Sequence, residues 1–153
     1  MAAPLMETVE IARPAAEVFA YVTDPARYIE WQKGAVRGDT HPKERGEPIG
    51  VGSICIMTRR VGGVERTSTS EITEYDPPLR WAIRGIDRSI RADAVVQVQA
   101  IDATSCRVTI EISFRGRGIG RVLTPIVYSQ GRREMPQTCR SLKECLESKN
   151  ALT

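Results

Sequence analysis

The stretch Gly118–Ser148, GIGRVLTPIVYSQGRREMPQTCRSLKECLES, decides the fold. It is the only segment long enough for a major helix, and it follows a long run of alternating sequence that reads as β. Leu123, Val127, Gly131, Met135, Cys139, Leu142 and Leu146 recur at steps of three or four, as a helix buried on one side requires. Leu142 and Leu146 make an ordinary apolar end. Gly131 fills almost nothing, and Gln130 and Glu134 lie beside the same stripe. A helix that closed a solid core would carry bulk there. The middle of this one is therefore expected to face a cavity, with Leu123 to Met135 as its roof and Leu142 and Leu146 as its anchors. Pro136 falls inside the helix and removes one hydrogen bond from its ladder.

Upstream of the helix, Met6–Ala12 alternates as a first strand, ended by Arg13-Pro14. Ala15–Val22 is a short helix with Val18, Phe19 and Val22 as its stripe. Asp24 caps the next turn, and Pro25–Trp31 is a second short helix that turns Tyr28, Ile29 and Trp31 inward. Ala35–Asp39 is a brief strand, and His41–Gly50 a polar loop. Gly52–Arg60 and Glu65–Tyr75 are strands joined through Val61-Gly62-Gly63-Val64, a two-residue hairpin signal. Asp76-Pro77-Pro78 turns the chain into Leu79–Ile86. Ala92–Ile101 and Ser105–Phe114 form another hairpin, and Gly116, Gly118 and Gly120 lead into the long helix. The order predicts an α+β fold: two short helices after the first strand, then an antiparallel meander giving about seven strands, curved round a long C-terminal helix. Small residues at Ala12, Thr58, Ser68, Ser70, Ala94 and Gly131 are expected to leave space between sheet and helix.

Across 153 residues, 41% are hydrophobic and 27% charged, which predicts one globular domain over 1–153 with its core at about 6–148. The net charge of +3 is too small and too dispersed for nucleic acid. Cys55, Cys106, Cys139 and Cys145 show no CxxC spacing, and His41 is the only histidine, so no metal site and no disulfide framework is expected. No apolar leader or membrane-length run occurs, which points to a cytoplasmic protein without membrane insertion.

In this order and spacing, PAAEVFAYVTDPARYIEW, GVGS, EITEYDPPLRW, SCRVTIEISF, GRGIGRVLTPI and LKECLE resemble the START-like (SRPBCC) superfamily, and within it the polyketide cyclase/dehydrase-like, lipid-transport group. The resemblance runs from about Met6 to Ser148. It implies a helix-grip fold: a seven-stranded antiparallel sheet around the C-terminal helix, with a deep pocket for lipids, sterols, polyketides or other apolar molecules. Many members have no demonstrated activity, and some act on other proteins.

The expected function is binding or transport of a hydrophobic small molecule in that cavity, without a cofactor. Candidate walls are Phe19, Val22, Tyr28, Trp31, Ile54, Ile56, Ile72, Trp81, Ile83, Val96, Val98, Val108, Ile110, Ile112, Leu123, Ile126, Val127, Gly131 and Met135. Each also reads as plain core, since periodicity does not separate lining from filling. Trp31 and Trp81 lead, because each pairs broad apolar area with one N–H donor. Access is expected between Gly116–Gly120 and the Val61–Val64 or Ile86–Arg91 turns. An aromatase, cyclase or dehydratase would need an acid/base pair in the cavity, for which Glu134, Tyr28 and Tyr75 are candidates, followed by Tyr128 and Glu71. His41 reads as a surface residue, and so does Arg66, which would otherwise be a buried cation. A third possibility is an interaction module with a filled core. Exposed Ile119, Val122 and Leu152 would support dimer contacts, and the sequence is compatible with a monomer or a homodimer.

Overall fold

The structure, a computed structural model, describes residues 3–87 and 90–148; Leu152 lies outside them. Seven antiparallel strands run β1 Leu5–Ile11, β2 Ala35–His41, β3 Ile54–Val61, β4 Val64–Asp76, β5 Arg80–Gly85, β6 Ile90–Asp102 and β7 Ser105–Gly116. They form one sheet in the order β1-β7-β6-β5-β4-β3-β2. Helix α1 (Ala15–Val22), a 3-10 turn (Pro25–Arg27) and helix α2 (Tyr28–Trp31) separate β1 from β2, and helix α3 (Ile119–Ser148) follows β7. The helix-grip architecture is thus the one expected.

Local chemistry accounts for the joints. Asp24 Oδ1 accepts from the Ala26 N–H at 3.0 Å and starts the 3-10 turn, with Pro25 at its first position. Gly62 and Gly63 take φ of 59° and 82°, the paired positive values of a type I′ hairpin, and set the β3–β4 register. Register shifts in β2, β4 and β6 introduce local bends and extra twist into the sheet.

Helix α3 grips the sheet at its C-terminal half. Leu142 and Leu146 are buried with Ile11, Cys106 and Val108 in a solid core. Polar clamps flank them. The buried Arg13 Nε donates to the Leu146 carbonyl at 3.1 Å. Glu147 Oε2 accepts from the Ala12 N–H at 2.9 Å and from Lys143 Nζ at 2.7 Å. Lys143 Nζ also donates to the Glu10 carbonyl. Both Pro125 and Pro136 lie inside α3. All four cysteines are free thiols. Burial pushes the Cys55 and Cys106 thiols up; burial and then the nearby Glu7 carboxylate push Cys139 to about 11.

Two expected orientations are corrected. Ala12 is exposed, because the inward face of β1 is that of Leu5, Val9 and Ile11. Ile29 is exposed as well: α2 is one turn long, so Tyr28 and Trp31, three apart, share its buried side and Ile29 is rotated away.

Candidate functional site

The cavity lies beneath the middle of α3, beyond the solid core, with a volume of about 640 Å³. Two cross-strand rows build its floor. Ile83, Ala94, Ile112 and Leu5 lie opposite one another across β5, β6, β7 and β1, and every one of them lines the space. Trp81, Val96 and Ile110 make the next row. Direct cross-strand partners share a face of the sheet, so each row is one apolar ridge. Phe114 extends the floor, while Val22, Tyr28, Trp31 and Met57 close the wall opposite. The α3 roof consists of Gln130, Gly131, Glu134, Met135 and Thr138.

Of the expected wall residues, Val22, Tyr28, Trp31, Trp81, Ile83, Val96, Ile110, Ile112, Gly131 and Met135 come together here. The others do not. Val98 and Val108 share the inward face but pair with each other at the solid end of the core. Phe19 is buried in that core, its ring centroid 6.1 Å from that of Tyr75. Ile72 is fully buried opposite Ile83 and does not reach the space. Ile56 is on the wrong side of β3. The inward residues there are Cys55, Met57 and Arg59, so Ile54 and Ile56 are half-buried on the opposite face.

The largest correction is on α3. Leu123 is 41% and Ile126 63% exposed, and Val127 is half-buried; none lines the cavity. The true inner row is Gly120, Thr124, Tyr128, Gly131, Met135, Cys139, Leu142 and Leu146. In the first three turns it lies one residue, about 100°, away from the expected row. Two anchors select it. Tyr128 Oη accepts from the Phe114 N–H at 2.9 Å, and the two rings meet edge to face at 5.2 Å. Gly131 is needed because Leu5 sits against it: a Cβ at that position would lie 2.5 Å from Leu5 Cδ1. Part of the space that glycine vacates on the helix is therefore filled by Leu5.

The mouth opens between Lys33-Gly34, the β3–β4 hairpin at Arg60 and Gly62, and Gln130 and Glu134 of α3; Asp87 also lines it. Gly116–Gly120 takes no part, and of the Ile86–Arg91 turn Arg88 and Ser89 lie outside the described residues. Near this opening stands a polar cluster in which Tyr28, Trp31 and Glu134 are expected from the sequence and Arg59 and Gln32 are not. Arg59 Nη2 donates to Gln32 Oε1. Burial pulls the Arg59 guanidinium down from its ordinary range, while Tyr28 and Glu134 favour its charged form. Burial, with a smaller push from Cys55, raises the Tyr28 phenol above its usual range, so it keeps its proton. Trp31 is 5% exposed, and its Nε1 is the one buried side-chain nitrogen or oxygen among the described residues without a hydrogen-bond partner.

The remaining acid/base candidates are elsewhere. Tyr75 shares the sheet face of its partner Trp81 but is 37% exposed, packs on Phe19 and does not line the cavity, and Glu71 faces away from it. His41 is exposed at the end of β2, 3.2 Å from Asp39, and Arg66 is exposed. Among the described residues no group of His, Cys, Asp or Glu is arranged to hold a metal ion, and no helix is long and apolar enough to cross a membrane.

A family model described as "Polyketide cyclase / dehydrase and lipid transport" matches residues 4–147. No curated protein matches. Among solved structures, a START superfamily protein from Mycobacterium smegmatis superposes with a TM-score of 0.78 at 11% identity, covering 96% of this chain and 99% of that one. The Zhui aromatase/cyclase from Streptomyces sp. R1128 gives 0.73 at 16% identity, covering 95% and 94%. The di-domain aromatase/cyclase BexL of the BE-7585A biosynthetic pathway gives 0.74 at 18% identity; this chain is covered to 96% but spans 47% of BexL. At these identities the likeness establishes the fold.

Proposed function

The chain belongs to the polyketide cyclase/dehydrase and lipid transport family, and from that premise we propose that it binds an apolar small molecule bearing one hydrogen-bond acceptor in the cavity under α3. The observation that carries the reading is the pairing of an apolar floor with one unmatched donor, Trp31 Nε1. A volume of about 640 Å³ is in the range that holds ligands of drug or lipid size. Burial of about ten methylene equivalents contributes on the order of 8 kcal/mol, which corresponds to micromolar affinity. A buried N–H without a partner costs about 1–3 kcal/mol, and a ligand carbonyl that accepts from it recovers that cost. Arg59, free to swing from Gln32, would meet a second acceptor nearer the mouth.

The test is a fluorescence titration with 2-acetylnaphthalene on wild type and on Ala94→Phe, which puts a ring into the middle of the floor. The reading expects saturable binding by wild type and at least a tenfold loss in the variant, with the fold retained by circular dichroism. Equal binding by both would place the ligand elsewhere.

A second reading rests on the convergence of Tyr28, Arg59 and Glu134 at one end of the same cavity. In an aromatase, cyclase or dehydratase, the protonated Tyr28 phenol would donate to a developing enolate, Arg59 would stabilise its charge and Glu134 would take a proton. Turnover of a poly-β-ketone by wild type but not by Tyr28→Phe, with binding retained, would select this reading over a carrier.

A further inference from the structure

The side of α3 turned away from its inner row is itself a surface. Ile119, Val122, Leu123 and Ile126 are 80%, 74%, 41% and 63% exposed. They stand at i, i+3, i+4 and i+7, so they form one continuous apolar strip along the first two turns of the helix. It faces away from the inner row of Gly120, Thr124 and Tyr128, and no element of the described fold covers it. Scattered exposed apolar residues are ordinary, whereas an ordered strip on a helix marks a binding face.

Charge says what the strip meets. Residues 116–133 contain Arg117, Arg121, Arg132 and Arg133 and no Asp or Glu. With 22 basic and 19 acidic residues in all, this segment carries +4 and the rest of the chain 18 − 19 = −1. All four arginines are exposed, and none forms an ion pair among the described residues. Arg115, just outside the segment, is already matched by Asp93 at 2.7 Å. A second copy of the chain is a poor occupant. Two-fold pairing sets the same patch against itself, with four exposed arginines on each copy and Glu134 as the one acid beside them. A nucleic acid would answer the arginines but not the Ile, Val and Leu side chains. A helix with an exposed apolar strip, in a segment of net charge +4 and with Arg133 on the strip's own side, fits the plane of an anionic bilayer, apolar side inward.

We propose that the N-terminal half of α3 docks this protein on an anionic lipid surface. The strip leads directly to the cavity: Gln130 and Glu134, one and two turns beyond Ile126 on the same i, i+4 row, stand at its mouth. Docking by this face brings the opening to the headgroup layer, where an apolar ligand could pass without crossing water. That second step rests on the binding function proposed above; the docking does not.

The experiment is flotation of the full chain with phosphatidylcholine vesicles, with and without phosphatidylserine. The expected result is binding to the anionic vesicles only, weakened by salt. Each arginine near the surface contributes about fivefold, so Arg133→Gln should bind about fivefold more weakly. Val122→Ser/Ile126→Ser, at exposed sites that keep the fold, should abolish flotation while leaving 2-acetylnaphthalene binding unchanged. No flotation with anionic vesicles, equal flotation with neutral ones, or flotation unaffected by Val122→Ser/Ile126→Ser would overturn the proposal. So would a concentration-dependent dimer, seen by light scattering, that this double variant dissolves. Lost probe binding with retained flotation would count against the cavity function alone.

Discussion

Replacing Trp31 with Phe separates what this residue does for the fold from what it does for a ligand. Trp31 lines the cavity and is 5% exposed, and its ring meets Tyr28 edge to face at 5.4 Å. Phe retains that edge contact and most of the apolar area. The loss of about two ring atoms' worth of burial costs roughly 1–1.5 kcal/mol. Against this, the variant removes a buried N–H that has no partner, whose desolvation costs about 1–3 kcal/mol. The two terms oppose, so stability should change by less than about 1 kcal/mol in either direction, and chemical denaturation measures it. Binding should respond in one direction only. For 2-acetylnaphthalene, whose carbonyl would accept from Nε1, the loss of about 1–3 kcal/mol means roughly 5- to 150-fold weaker affinity. For 2-ethylnaphthalene, nearly the same shape without the acceptor, affinity should stay within about twofold of wild type. Calorimetric titration of both probes against both proteins gives the comparison. If Trp31→Phe weakens neither probe, or weakens both alike, the indole N–H is not reading an acceptor.

Three further outcomes follow from the packing. Gly131→Leu must push Leu5 aside, since even its Cβ would lie 2.5 Å from Leu5 Cδ1. Overpacking of about 1–3 kcal/mol is partly offset by about 0.8 kcal/mol of helix propensity, so the protein should fold in thermal melts while its probe affinity falls. Leu142→Ala empties a fully buried anchor between α3 and the sheet, and urea denaturation should register a loss of about 2–5 kcal/mol. Partial burial pushes the Glu147 carboxyl up, but Lys143 and the Ala12 N–H outweigh it and hold it below the ordinary range. A carboxyl depressed in the folded state stabilises at pH values above its unfolded pKa and loses that contribution as pH falls through the folded value. Glu147→Gln should therefore lower stability by about 1 kcal/mol at neutral pH, with the difference shrinking below about pH 4.5, as denaturation at several pH values would show.

The fold was legible because each of its signals is local: alternation in the strands, Gly62-Gly63 in the hairpin, Asp24-Pro25 at the turn and one long helical segment at the end. The cavity was legible only where the face of an element was fixed by more than its own periodicity. On β5, β6 and β7 the inward faces were evident, and most of the floor was named. On β3 both faces are apolar, Ile54 and Ile56 against Cys55 and Met57, and alternation alone does not choose between them. The choice was nonetheless available from the hairpin. A two-residue loop at Gly62-Gly63 pairs Ser68 with Met57 and Ser70 with Cys55, so taking both serines as inward already commits Met57, and hence Arg59, to the cavity. Arg59 is hidden by that one inconsistency. On α3 the obstacle was physical. Its first turns face Gly120, Thr124 and Tyr128 inward and expose Ile119, Val122 and Ile126, the reverse of what hydrophobicity selects. Hydrophobic periodicity assumes that the apolar side faces the core, and it fails where a helix presents that side to something else.

Native mass spectrometry of the protein purified from its own host tests the central claim most directly. The account predicts a bound small molecule at one per chain, present in wild type, absent from Ala94→Phe, and carrying at least one carbonyl, carboxyl or other acceptor when released and identified. A wild-type spectrum showing only the bare chain, together with no saturable uptake of either naphthalene probe, would contradict it.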